Sequence, residues 1–163
     1  MSTESVLTTA LIDAHEGSDV RICDIPGAFL SADMDKDTKM ALRGGLFELM
    51  AMIAPQIYRY HVIYEKGRPV LYFTTNKSLY GYLRSVFLLY EQLVADIRCK
   101  GFELNPYEPC AANKMIGGKQ MTVFWYVEDP KVSHVYPKEV TNFMEYLEGI
   151  YGELSITRGN LHK

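Results

Sequence analysis

Apolar positions recur at helical spacing near the start of the chain, at Val6, Leu7, Ala10, Leu11 and Ala14. Ser2 or Thr3 can cap that helix, Glu4 falls in its first turn, and Gly17 and Ser18 end it. The run at 20–25 predicts a short buried strand broken at Pro26 and Gly27, and 28–30 lead into a polar turn over 31–37. Residues 39–42 read as a strand, and 46–53 as a Met-rich helix closed by Pro55. Partial alternation over 58–64, a turn at 65–69 and a return over 70–74 predict a hairpin.

The longest periodic stretch is 81–100. Leu83, Val86, Phe87, Tyr90, Val94 and Ile97 share one face of it, and Gly101 stops the helix. Its aromatics read as core rather than as a base-stacking platform. Pro106 and Pro109 punctuate a loop, and 110–116 and 121–127 pair as a hairpin through Gly117 and Gly118. A return strand at 131–135 follows an acidic turn. Pro137 opens a second helix with Val140, Phe143, Met144, Leu147 and Ile150 on its apolar face. Gly152 ends it, and 154–157 read as a last strand.

From about residue 19 the order is strand, insertion, helix, hairpin, helix, strand. With the insertion set aside this is a split βαβ plan: an α+β fold with an antiparallel sheet and the helices packed on one face. No repeat, low-complexity segment or linker interrupts it, so 1–163 reads as one domain. The plan lets the strand that carries Asp24 lie beside the hairpin that carries Glu128 and Asp129.

Composition narrows the function classes. A chain of 163 residues, nearly half of them hydrophobic (48%), can bury a core and is not disordered. No apolar run approaches a membrane span, and the first residues lack the pattern of a signal peptide, so an intracellular, cytoplasmic protein with no membrane partner is expected. Cys23, Cys99 and Cys110 form no CxxC pair, which suggests free thiols in a reducing compartment and argues against zinc. The net charge of −3 counts against autonomous nucleic-acid binding.

The candidate chemistry sits at Glu128 and Asp129, two adjacent carboxylates closing an apolar strand. Acids held rigidly side by side repel unless a cation lies between them, so they are candidate Mg²⁺ ligands; the alternative is a solvated turn pair. Asp24 lies in an apolar strand, where a carboxylate is paired, hydrogen-bonded or metal-bound, or else points to the accessible face. His61 reads as an ordinary strand residue. If Asp24 converges on the acidic turn, the trio has the donor set of a two-metal phosphoryl-transfer site.

Three stretches extend this reading. Asp24-Ile25-Pro26-Gly27-Ala28-Phe29-Leu30 resembles D-V-x-x-A-F-L. Ser78-Leu79-Tyr80-Gly81-Tyr82-Leu83-Arg84 resembles A-L-Y-G-L. Tyr126-Val127-Glu128-Asp129 resembles Y-V-D-D. In this order they resemble the reverse transcriptase of copia-type LTR retrotransposons, an RNA-directed DNA polymerase, with Gly101-Phe102-Glu103, Glu108-Pro109-Cys110 and Thr157-Arg158-Gly159 fitting between and after them.

The resemblance implies a polymerase palm and nucleotidyl transfer from a dNTP to a primer 3′-hydroxyl. Asp24, Glu128 and Asp129 would be the catalytic and metal-binding residues, with Mg²⁺, or Mn²⁺ in its place, as cofactor. Phe29 would pack under the incoming sugar, Gly81 would let backbone pass close to nucleotide or template, and Tyr126 would flank the primer end. Its implied partners are primer–template RNA or DNA, dNTP and the other polyprotein domains: fingers before Met1, and thumb, RNase H and integrase beyond this stretch. An active element would place the chain in a virus-like particle.

Glu128 stands where the family has Asp, one methylene longer, and Pro130 restricts the turn further. The expectation is a palm that is weak or inactive alone. Two alternatives stand beside it: a decayed or co-opted fragment acting as a folded protein-interaction module, and an unrelated split βαβ binding domain.

Overall fold

The computed structural model describes residues 2–34 and 38–159. The chain opens with helix α1 (Thr3–Glu16). The Ser2 hydroxyl accepts the Ser5 N–H at 3.1 Å, and Gly17, at φ +67°, closes the helix through its N–H to the Asp13 carbonyl. Strand β1 (Asp19–Asp24) and the short helix α2 (Ala28–Ser31) follow. Of the polar turn read over 31–37, Asp35, Lys36 and Asp37 lie outside the described residues.

An insertion carries β2 (Lys39–Arg43), α3 (Gly45–Ile53), α4 (Pro55–Tyr58), a 3-10 turn at Arg59–His61, β3 (Val62–Glu65) and β4 (Arg68–Thr74). Its three strands form an antiparallel sheet in the order β2-β4-β3. The strand expected over 58–64 begins only at Val62. Proline is tolerated in a helix's first turn, where its missing N–H has no partner to lose, and Pro55 starts a helical turn there that runs on into His61.

The rest is α5 (Leu83–Cys99), β5 (Glu103–Leu104), β6 (Ala111–Ile116), β7 (Lys119–Tyr126), β8 (Asp129–His134), α6 (Pro137–Tyr151) and β9 (Ser155–Gly159). The main sheet has the order β5-β6-β7-β8-β1-β9, with every neighbouring pair antiparallel. The protein has the α+β fold expected from its pattern.

Alternation along the strands sorts the two sheet faces. Cys23, Ala112, Met121, Val123, Trp125 and Val132 point to one face and are buried with Leu89, Leu93 and Ile97 of α5 and Phe143, Met144 and Leu147 of α6. Helix α1 lies across the other face. Asp13 forms a buried ion pair with Lys131 at 2.5 Å, and the Lys131 ammonium also donates to the Thr9 hydroxyl at 3.3 Å.

Two helices are rotated from their expected faces. In α1, Asp13 is buried and Ser5, Val6, Thr9 and Ala10 are half-buried, while Leu7 and Leu11 are exposed. The sheet beneath offers Lys131, which draws the Thr9 and Asp13 side inward. In α5 the inward residues are Ser85, Leu88, Leu89, Leu93, Val94 and Ile97, and Leu83, Val86 and Phe87 are exposed. The fully buried Ser85 hydroxyl accepts the Leu79 N–H at 3.0 Å, so that the phase of the first turns follows a polar contact rather than the apolar stripe. The helix starts at Leu83 rather than at Gly81, because Gly81 has φ +80° and cannot join a right-handed helix.

Candidate active site

Strand β1 ends at Asp24, and β8 begins at Asp129. Their pairing runs Asp19 to His134, Val20 to Ser133, Arg21 to Val132 and Ile22 to Lys131. Two contacts continue that register: Cys23 Sγ lies 3.7 Å from the Pro130 carbonyl, and the Ile25 N–H donates to the Glu128 carbonyl at 3.1 Å. Asp24 therefore falls beside Asp129. Tyr126 pairs with Asp129 on one flank and Ser155 pairs with Asp24 on the other. Cys23 and Trp125 point into the core, so Asp24 and Tyr126, each one residue further on, face away from α5 and α6. Asp24 thus takes the accessible side of its strand.

The acids feel one another. The Asp129 carboxyl titrates above the usual aspartate range, first through loss of hydration, then through the charges of Asp24 and Glu128. Burial pushes the Cys23 thiol up to about 12, and the charges of Asp129 and Asp24 add to it. That thiol is fully buried and stays protonated at neutral pH, so it is a packing group and not a nucleophile.

The turn that carries the acids is strained. Tyr126 pairs with Asp129, leaving a loop of Val127 and Glu128. Val127 has φ +55° and Glu128 does not share the positive sign, the sign pattern of a type II′ turn whose first central position normally holds glycine. The two other two-residue hairpin loops use glycine, at Lys66-Gly67 and at Gly117-Gly118. A β-branched residue at positive φ is uncommon, and such strain concentrates at functional sites.

Glu128 reaches sideways. Its Oε1 accepts the Tyr80 hydroxyl at 2.6 Å, and its Oε2 is buried without a hydrogen-bond partner. The Tyr80 ring meets Phe29 edge-on with centroids 4.7 Å apart, and the Phe29 carbonyl accepts the hydroxyl of fully buried Ser78. Hydrogen bonding to Glu128 and the neighbouring negative charges raise the Tyr80 phenol above its ordinary value. Asp24, Pro26, Phe29, Leu30, Tyr80 and Glu128 are among the residues that line an open cleft of about 430 Å³.

The structure thus brings Asp24, Glu128 and Asp129 to one sheet end, but their side chains do not close on a common point. Among the described residues, no three His, Cys, Asp or Glu side chains are grouped so as to hold a metal ion. Phe29 lines the cleft but is buried, at 5% exposure. Tyr126 is exposed beside Asp129. Gly81 has open space where a Cβ would sit, so in this structure its left-handed φ, and not a close approach, is what requires glycine. His61 is exposed in the 3-10 turn. Sequence reasoning assigned no role to Tyr80, or to Val127 as a strained position. The second had a visible signal: a two-residue loop without glycine where the other two have one.

No protein-family model matches the chain, and no curated protein matches it. A solved structure of apo telomerase from Candida tropicalis, truncated from its C-terminal domain, is similar at a TM-score of 0.46 and 10% identity, over 98% of this chain and 36% of that one. The chain therefore spans little more than a third of that structure's length.

Proposed function

We propose that this chain is the palm of an RNA-directed DNA polymerase of the copia-type retrotransposon kind, with Asp24, Glu128 and Asp129 as its catalytic carboxylates. The observation that carries the reading is the register of β1 against β8, which sets Asp24 beside Asp129 across a separation of more than 100 residues. The strained Val127 at the tip of the same turn supports it.

In the proposed reaction the primer 3′-oxygen attacks the α-phosphorus of a dNTP. A P–O bond forms there, the bond to the β-phosphate oxygen breaks, pyrophosphate leaves, and the hydroxyl proton is released. The donor set suits a hard divalent cation, since every ligand is a carboxylate oxygen and Glu128 Oε2 is buried with no other partner. Asp24, Glu128 and Asp129 would hold Mg²⁺, which would supply charge neutralisation for the attacking and leaving oxygens. Tyr126 would flank the primer end. Phe29, in the cleft wall, would lie under the incoming sugar.

A second reading has its own support. Glu128 is one methylene longer than the family's Asp, its carboxylate bonds to Tyr80, and among the described residues no three acids are grouped around one point. That arrangement suits a folded relic that acts through protein contacts. Primer extension with the chain joined to the fingers and thumb of a copia-type reverse transcriptase separates the two. Metal-dependent extension that Asp24→Asn abolishes and Glu128→Asp increases is the expected result. Extension that survives Asp24→Asn, or none even with Glu128→Asp, would sink the polymerase reading.

A further inference from the structure

We infer that the outer edge of β3 is a self-pairing surface, through which two copies of this chain join as a two-fold dimer.

Among the described residues, each sheet ends in two strands that pair on one side only: β2 and β3 in the smaller sheet, β5 and β9 in the larger. An open edge offers unpaired N–H and C=O groups to another strand unless charge or shortness blunts it. Strand β5 is two residues long, Lys39 and Arg43 bound β2, and exposed Arg158 lies in β9. Strand β3 carries one charge, Glu65 at its end, and that carboxylate is already held by Arg43 at 3.1 Å and Tyr72 at 2.5 Å.

The hairpin fixes which groups the edge presents. Tyr64 lies opposite Pro69, which has no N–H to donate, so Tyr64 turns its own N–H and C=O to the open side. Alternation turns those of Val62 the same way. An antiparallel copy then exchanges hydrogen bonds between Val62 of one strand and Tyr64 of the other, and Ile63 meets its own counterpart on the axis. In that register Glu65 falls opposite His61, so no like charges are opposed.

The apolar surface extends beyond the strand. Leu46, Leu49, Met52, Ile53, Ile57 and Tyr60, together with Ile63 and Tyr64, are each between 48% and 85% exposed. At about 100 Å² for a side chain of this kind they total roughly 800 Å², the area that each partner contributes to a stable interface. Glu48 and Arg59 are the only formal charges from 46 to 64 and they cancel, so an identical partner meets the stretch without net repulsion. A two-fold contact uses this one patch twice and needs no second, different surface.

The test is the oligomeric state of the full chain, by sedimentation over roughly 1–100 μM. Wild type should be a dimer that dissociates on dilution. Tyr64→Pro spares the β3–β4 ladder, because that N–H is not used in it, and should weaken the dimer on the order of thirtyfold, the scale of two lost hydrogen bonds. Ile63→Lys, which sets two ammonium groups together on the axis, should give monomer throughout. Leu11→Lys, at an equally exposed apolar position on α1, should change nothing, and melting curves check that each variant folds. Ile63→Cys, with exposed Cys99 replaced by Ser, should oxidise to a covalent dimer, since residues facing each other in a non-hydrogen-bonded pair lie about 4.5 Å apart, within disulfide reach. A wild type that is monomeric at every concentration would mean that a different protein covers this face, and would overturn the inference. So would a dimer that either Tyr64→Pro or Ile63→Lys leaves intact, or an Ile63→Cys protein that does not cross-link.

Discussion

The Ile25 N–H donates to the Glu128 carbonyl at 3.1 Å, and this bond closes the end of the β1–β8 ladder one step beyond Asp24 and Asp129. It fixes two like charges side by side at a solvent-facing sheet end. Their repulsion has to be offset elsewhere in the fold or by a cation.

Asp24→Asn should therefore stabilise the cation-free protein while removing its response to Mg²⁺. The acids face solvent, so screening keeps the gain below about 1 kcal/mol, or a few degrees in Tm for a chain of this size. Melting curves with and without Mg²⁺ measure both effects. An Asp24→Asn protein that melts lower than wild type without Mg²⁺, or that gains as much from Mg²⁺, would contradict this account of the acid pair.

Val127 sets strain against burial. Its positive φ costs about 1–3 kcal/mol. Val127→Gly relieves that, but adds roughly 0.5–1 kcal/mol of backbone entropy. It also gives up a half-buried side chain packed on the core, worth about 1 kcal/mol. These offset, so Val127→Gly should change stability by less than about 1 kcal/mol. Val123→Ala, at a fully buried position in β7, the strand that leads into the turn, should cost about 2 kcal/mol. Urea unfolding of the two variants decides it: comparable losses would mean that the turn is not strained.

What was legible in the sequence follows from how local each cause is. The β6–β7 and β7–β8 hairpins and the adjacency of β1 to β8 could be read because alternation and element order specify them. The faces of α1 and α5 could not. Each helix carries more than one plausible stripe, and polar contacts chose between them: Asp13 to Lys131 in one, Leu79 to Ser85 in the other. The Tyr80–Glu128 bond joins side chains 48 positions apart and leaves no mark in any periodicity. For Asp24 the sequence left open a paired or metal-bound acid and one on the accessible face, and where the Glu128 carboxylate goes depends on that distant phenol.

Tyr151 should make the fold sensitive to alkali. Its hydroxyl donates to Asp96 Oδ2 at 2.7 Å, and burial followed by that bond raises its pKa well above the ordinary tyrosine value of 10.0. The unfolded chain releases the phenol proton near pH 10, while the native chain keeps it. Native protein then binds more protons, so stability falls as pH rises above about 10; below that both states are protonated and the slope is absent. Tyr146, raised mainly by burial, acts in the same direction. Tyr151→Phe should cost about 1 kcal/mol at pH 7 through the lost bond. The deficit should shrink as pH rises past 10. Urea midpoints from pH 7 to 11 measure it, and a deficit that stays constant over that range would rule the mechanism out.

The ion pair of Asp13 and Lys131 straps α1 across the sheet, and the two ways of removing it should differ in size. The Asp13 side chain is 5% exposed and that of Lys131 is 16% exposed, so both ions are largely out of water. Asp13→Ala leaves the ammonium buried beside the Thr9 hydroxyl with its charge unpaired, a state that costs about 3 kcal/mol in comparable sites. Replacing both partners, Asp13→Leu with Lys131→Met, removes the two desolvation penalties together with the attraction. The double variant should lie within about 1 kcal/mol of wild type. Helix α1 already turns Val6 and Ala10 toward the sheet, and Phe124 is buried beneath it, so added apolar volume has surfaces to meet. Chemical denaturation of both variants settles the point. A double variant as unstable as Asp13→Ala would mean that the charge attraction itself, rather than the avoidance of a stranded ion, holds α1 in place.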